Sequence, residues 1–425
     1  MTLILSKLKT LVGKYGLWGL LKKALLYSSA TLRARLPLSV LFRPGNYRQQ
    51  IRRILTGDFD RVILWRSSFG FQAALYQRPQ HIARQLARQG CLVLYEANPL
   101  ADRVKSLRWQ EDHLLLVNFC SPPLRRMLLR ELDRLEKPKY LQIYSTNREM
   151  PLLELQGFVR RGWRVLYEYV DHLSPVISGT ARLPKNITDK FAYAMEHPSV
   201  TVVATAELLR RDVVKRRGGR NLILSTNGVD YDFFQQWAPY DFEPAFRDIL
   251  NRGKPMICYY GALAAWLDYE LIRELAESGK YSVVLFGVKY DGTFDRMLRG
   301  VPGVDYLGPR NYRVLKYYAR KADVLLLPFL VNDITRSASP VKLFEYMALQ
   351  KPIVSTDIDE CRNYQSVLIG KDHTDFLRQI DRALLLGGDD GYLALIDAEA
   401  RANDWSEKAK VIVDGLKGNE KHPGS

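Results

Sequence analysis

Cysteine is scarce in this chain, and acidic residues are nearly missing from its start. Cys91, Cys120, Cys258 and Cys361 are the only cysteines in 425 residues, and no two form a Cys-x-x-Cys pair. Scattered in this way they argue against a disulfide framework and suit a reducing cytoplasm. Cys91, Cys120 and Cys258 fall in strand-like runs, where a small buried hydrophobe is the expected role. The 6 histidines show no ligand spacing, so no structural metal is expected. No apolar run approaches the roughly 20 residues needed to cross a bilayer. No Gly-x-Gly-x-x-Gly stretch marks a dinucleotide fingerprint. Three Asp-x-Asp sequences, at 58–60, 230–232 and 357–359, lack the setting in which such a pair holds a divalent ion on a phosphate, and chance accounts for them.

Lysine and arginine, by contrast, are plentiful. The formal net charge is +17, which favours an anionic partner: nucleic acid, a lipid surface or a phosphorylated substrate. In residues 1–60 the cations Lys7, Lys9, Lys14, Lys22, Lys23, Arg33, Arg35, Arg43, Arg48, Arg52 and Arg53 are opposed only by Asp58 and Asp60. Leucines and Trp18 are interleaved with them, cut by lysines too often for a spanning helix, and no small-residue cleavage site follows. The segment reads as a basic interfacial helix, with a helix capping the next domain as the structural alternative. Nucleic acid is not an expected partner, because no recognition module follows.

From residue 61 onward, short apolar runs alternate with amphipathic helices. "RVILW" (61–65), "CLVLYE", "LLLVNF", "YLQIYS", "RVLYEYV" and "VTVVAT" read as strands, with helices such as 78–90 and "LRRMLLRELDRLE" between them. That alternation predicts a parallel sheet covered on both faces. A stretch at 236–254 is poor in periodic runs and reads as a linker. The pattern then restarts with "MICYYG", "YSVVLFG", "VDYLG", "ADVLLLPF" and "PIVSTD". The expected architecture is α/β: a basic segment at 1–60, doubly wound Rossmann-like domains at 61–235 and 255–415 facing a central cleft, and a polar tail at 416–425. Open sheets of this kind bind ligands at the carboxyl ends of their strands.

Those strand ends carry the candidate chemistry. Gly261, with Ala262 after it, and Gly287 close two strands where a backbone could approach a ligand. "SPVKLFEYMALQKPIVSTD" (339–357) places Ser339 and Pro340 before a helix with Lys342 in its first turn and Glu345 three residues on. N–H groups at a helix start and a lysine together suit a diphosphate. In "YEYVDHLSPVISG" (167–179), Asp171 and His172 follow a strand, and both can do proton chemistry.

The segment 339–357 resembles the donor-binding element of GT-B glycosyltransferases, especially the bacterial group 1, family 4-like class with an "SPxKxFEY" motif. "YYGALAAWLDYELI", "VDYLGPRNYRVLKYYARKADVLLLPF", "STNGVDYDFF" and "RPQHIARQLARQG" resemble further elements of that family in the same order, over about residues 60–415. The resemblance implies a nucleotide-sugar donor held by Gly261, Ala262, Gly287, Tyr312, Ser339, Pro340, Lys342 and Glu345, with Lys342 on the diphosphate and Glu345 on the ribose. Asp171 and His172 would face the acceptor. It implies no cofactor beyond the nucleotide sugar. The basic N-terminal segment suggests an acceptor held at the membrane, such as a lipid-linked glycan of a surface polysaccharide, and a peripheral place on the inner face of the plasma membrane. Two departures stand out. Many relatives carry paired glutamates, and Ser337 occupies the first of those positions. Many also carry cations after the first donor-domain strand, where this chain reads Ala-Leu-Ala-Ala-Trp. A nucleotide-sugar epimerase of the same fold and a non-catalytic nucleotide-binding subunit remain alternatives.

Overall fold

Runs such as Arg61–Trp65 and Met256–Tyr260 are buried at every position, as strands covered on both faces must be. In the computed structural model, residues 44–421 are described, apart from 68, 74–75, 99–100 and 175–181. Most of the basic segment, residues 1–43, therefore lies outside the described residues. The strands are β1 (Arg61–Trp65), β2 (Cys91–Glu96), β3 (Leu107–Glu111), β4 (Leu114–Val117), β5 (Lys139–Tyr144), β6 (Arg164–Tyr169), β7 (Val200–Ala204) and β8 (Leu222–Leu224). They continue as β9 (Met256–Tyr260), β10 (Ser282–Phe286), β11 (Val304–Tyr306), β12 (Val324–Leu327), β13 (Ile353–Thr356) and β14 (Val367–Gly370).

The chain divides into two compact units. The first holds the described residues of Met1–Ala73, with Leu86–Ile143 and Leu153–Val165. Within it β1 pairs in parallel with β2 and β5, β2 with β4, and β3 closes the edge antiparallel to β4. The helix Pro44–Leu55 belongs to this unit's core, since Ile51 and Leu55 are buried. Its Arg48 and Arg52 both grip Glu131 at 2.9 and 3.0 Å. Those hydrogen bonds, Arg52's first, outweigh the desolvation of the Glu131 carboxyl and hold it below the usual carboxylate range. This end of the basic segment is thus structural, not a free cationic face.

The second unit comprises Ala74–Gln85, Tyr144–Leu152 and Leu166–Ser425. It contains the pair β7–β8 and a six-stranded sheet of order β11-β10-β9-β12-β13-β14, parallel throughout. Period-two alternation sorts its side chains. Cys258, Tyr260, Val284, Phe286, Leu325 and Leu327 enter one hydrophobic cluster. Ile257, Tyr259, Val283, Leu285, Val324 and Leu326 enter another. The helix Val341–Ala348 packs in the cluster that contains Tyr260. Strand order reverses between β9 and β12, and such a switch point is where open parallel sheets bind ligands.

Several local expectations change. The presumed linker contains a helix, Pro244–Leu250, which buries Phe246 and Ile249. The polar tail is helical to Lys421, within Trp405–Lys421. Cys120 is half-buried and lies beyond the end of β4, not in a strand. The Asp-x-Asp residues beyond 200 serve the fold. Asp230 caps the helix Tyr231–Gln235, and Asp357 and Asp359 bind Arg362. Among the described residues no helix is long and apolar enough to cross a membrane.

Two helices of the second unit are joined by His373. Its Nε2 lies 3.0 Å from Asp268 and its Nδ1 2.8 Å from Glu274. Burial works against a charged ring, but the two carboxylates outweigh it and raise the pKa above the ordinary 6.5. A raised folded-state pKa gives stability that is fully present below about pH 6.5 and lost as pH rises through the folded value. The unfolding free energy of the native protein, from urea titrations, is expected to fall across that window by under about 1 kcal/mol for so accessible a cluster. His373→Gln is expected to flatten the fall, and an unchanged pH slope in the variant excludes His373 as its source.

Candidate donor site

All the candidate residues read from the sequence lie in the second unit. Gly261 and Gly287 follow β9 and β10, and both have positive φ, 157° and 146°. A Cβ on Gly287 would stand 1.6 Å from the Gly261 carbonyl oxygen. Its glycine is therefore required by the approach of two strand ends to each other. The Gly287 carbonyl in turn accepts from the Tyr306 hydroxyl at 2.8 Å. Ala262 offers its carbonyl to the Tyr259 hydroxyl at 3.3 Å.

Past β12 the chain forms a short helix, Asp333–Arg336, opened by a capping box between Asn332 and Thr335. Ser337 is fully buried, with its Oγ 2.9 and 3.0 Å from the carbonyls of Asp333 and Ile334. The position where the family resemblance would place a glutamate thus completes a helix end here. Ser339 is buried as well. Its Oγ accepts from the Asn227 N–H at 3.1 Å and its carbonyl from Asn227 Nδ2 at 2.6 Å. Pro340 then caps the helix Val341–Ala348 at extended ψ.

Lys342 is half-buried in the first turn of that helix, and Glu345 is buried at 3% exposure. Burial raises the Glu345 carboxyl, and the Lys342 charge and the Tyr260 hydroxyl offset only part of that. The Tyr260 hydroxyl, which favours the Glu345 charge, is buried along with it. Tyr312 stacks on Phe233 with centroids 5.1 Å apart and planes 7° apart, and edges against Phe234. Its hydroxyl is pushed well up, first by burial and then by Glu345. The half-buried Tyr312 and the buried Tyr260 both feel the Glu345 charge.

Asp171 and His172 follow β6. Asp171 is half-buried and set among enough protein atoms that desolvation raises its carboxyl. His172 is exposed. Among the described residues neither is hydrogen-bonded to a donor-side candidate. Three residues before Asp171, the fully buried Glu168 accepts from Arg78 Nε at 2.8 Å. Arg78 also donates to the Thr226 carbonyl at 2.8 Å, beside Asn227. Arg78, Glu168, Asn227 and Tyr260 were not singled out from the sequence. The Arg-Pro at 78–79 and the Asn-Gly at 227–228 were legible signals, but a buried pairing partner is not. Among the described residues no group of three or more His, Cys, Asp or Glu side chains is placed to hold a metal ion.

The two largely parallel sheets, matched by solved structures of that architecture, define the fold as GT-B. Residues 255–385 match the family described as glycosyl transferases group 1. A curated relative is 24% identical over 259 residues: TuaH of Bacillus subtilis (strain 168), provisionally named a teichuronic acid biosynthesis glycosyltransferase. The match spans 57% of this chain and 64% of that protein. Among solved structures, sucrose-phosphate synthase from Thermosynechococcus elongatus superposes with a TM-score of 0.60 at 14% identity, covering 85% of this chain and 99% of that one. Anabaena HepE in complex with UDP gives 0.59 at 13% identity, covering 85% and 100%.

Proposed function

We propose that this chain is a glycosyltransferase that moves a sugar from a nucleoside-diphosphate donor to an acceptor hydroxyl. The observation that carries the reading is the helix Val341–Ala348. It places a half-buried lysine in its first turn and a buried carboxyl three residues later, inside the segment that matches group 1 glycosyl transferases. In this reading Lys342 and the free N–H groups of the helix start neutralise the diphosphate. Glu345 receives the ribose hydroxyls, and Tyr312 lies against the base. The helix start and Lys342 supply the charge without a divalent metal. Asp171 takes or orients the acceptor proton. Solved relatives of the same fold hold UDP and UDP-glucose, which supports a nucleotide-sugar donor here. The name of TuaH supports a surface-polysaccharide acceptor. A lipid-linked glycan at the inner membrane face, met through the basic residues of 1–43, completes the proposal.

Lys342→Ala is the direct test. A hydrogen bond to a charged group is worth about 1.5–3 kcal/mol, so calorimetric affinity for UDP, GDP or ADP, whichever binds the native protein, is expected to fall at least tenfold with an unchanged circular dichroism spectrum. Equal affinity in the variant refutes the assignment. Ser337 favours one second reading, a subunit that binds the donor without turning it over, since its hydroxyl closes a helix where the family resemblance would place a glutamate. Release of free nucleotide from a nucleotide sugar in the presence of membrane extract excludes that reading.

A further inference from the structure

In the first unit, the helix Pro122–Asp133 buries Leu124, Leu128, Glu131 and Leu132. Its other side is largely arginine: Arg125, Arg126 and Arg130 are exposed, and so is Arg134 at the C-cap. The helix Pro44–Leu55 packs beside it and carries Arg48 and Arg52. A single carboxylate, Glu131, serves all of these, and Arg48, Arg52 and Arg134 already share it. The other acid of the helix, Asp133, is taken by Arg161 and the Trp163 indole. Arg125, Arg126 and Arg130 are left with neither a hydrogen bond nor an ion pair among the described residues. Their placement also works against the helix. Arg126, Arg130 and Arg134 are spaced at i, i+4, where like charges repel. Arg125 and Arg126 lie towards the helix start, the end at which its dipole disfavours cations. Local rules broken without a local gain point to a use outside the fold.

We infer that Arg125, Arg126 and Arg130 form a docking face for an anionic lipid bilayer, with the headgroup phosphates as their partners. The face lies outside the donor site and does not depend on that reading. A cluster of cations on one side of an amphipathic helix suits such a surface, and guanidinium groups pair readily with phosphate oxygens. Nucleic acid offers the same phosphates, but the neighbouring sequence favours lipid. Residues 1–43 run into the adjoining helix at Pro44, and they combine eight cations and no acid with many leucines. Cations interleaved with leucines suit the boundary between headgroups and acyl chains, and nucleic acid has no use for the leucines.

The test is sedimentation of the full chain with vesicles of phosphatidylglycerol and phosphatidylcholine, and of phosphatidylcholine alone. The native protein is expected to bind the mixed vesicles, and less so as salt rises. A cation near such a surface is worth about fivefold in partitioning, so the triple variant Arg125→Gln, Arg126→Gln, Arg130→Gln is expected to bind about 100-fold more weakly at low salt. Its circular dichroism spectrum and its affinity for UDP, GDP or ADP are expected to match the native ones, because these side chains hold no partner in the fold. The control removes the same charge from exposed positions of the second unit: Arg299→Gln, Lys321→Gln, Arg382→Gln. It is expected to keep near-native vesicle binding. Native-like binding by the Arg125, Arg126, Arg130 variant overturns the inference and leaves residues 1–43 as the contact. An equal loss in the control overturns it too, since net charge alone is then at work. So does equal native binding to phosphatidylcholine alone. Poly(U) RNA that displaces the native protein from mixed vesicles, and whose own binding is lost in the variant, assigns the face to nucleic acid instead. A native protein that ignores anionic vesicles overturns this inference together with the proposed membrane contact of 1–43, while the nucleotide titration still judges the donor site separately.

Discussion

Arg78→Ala is expected to lower the stability of this protein by about 3–5 kcal/mol, the usual result of leaving one member of a buried ion pair without its partner. Glu168 is fully buried, and Arg78 Nε is the donor to its Oε2. Removing the guanidinium strands a carboxylate in an apolar setting and also frees the Thr226 carbonyl, which accepts from Arg78 Nη1. Thr226 adjoins Asn227, whose two hydrogen bonds hold Ser339 at the entry to the lysine-bearing helix. The variant should therefore lose nucleotide affinity along with stability. Urea denaturation followed by tryptophan fluorescence measures the first effect, and calorimetry the second. Replacing both partners by apolar residues, Arg78→Met with Glu168→Leu, is expected to recover much of the loss, because no buried charge remains. A single variant with the native urea midpoint contradicts this account of the pair.

The other large effect concerns turnover. Asp171→Asn is expected to reduce the rate by a factor of about 10²–10⁴ if the carboxylate accepts the acceptor proton, the range typical of a positioned base. Donor affinity should stay almost unchanged, since Asp171 is hydrogen-bonded to none of the donor-side candidates among the described residues. If the carboxylate only orients the acceptor, the loss is smaller and falls in the acceptor KM. Desolvation raises this carboxyl, and a base must be ionised to work. The acid limb of the rate profile is therefore expected above the ordinary carboxylate pKa, with activity lost as pH falls through it. The exposed His172 provides the control, because His172→Asn is expected to keep that limb in place. Native turnover by Asp171→Asn at limiting acceptor removes the residue from the site.

The α/β class and the two sheets were legible in the sequence. Local rules sufficed, because strands buried on both faces must be apolar throughout, as in 61–65 and 256–260, and a proline before an apolar helical repeat marks a helix start. Lys342 and Glu345 were likewise legible from their spacing. Edge strand β3 escaped, since its residues are partly exposed and polar. The helix Asp333–Arg336 escaped too, being set by a capping box of polar side chains rather than by periodicity.

The environment of each charge was decided only by tertiary structure. Spacing puts Lys342 and Glu345 on one side of a helix, but the packing of that helix in the Tyr260 cluster is what leaves one half-buried and the other enclosed. Glycine at 287 could be read as freedom for a ligand, and the fold uses it for the Gly261 carbonyl. The pairing of Arg78 with Glu168 joins residues 90 positions apart. Burial, desolvation and partner choice depend on long-range contacts, to which hydrophobic periodicity and capping signals carry no reference.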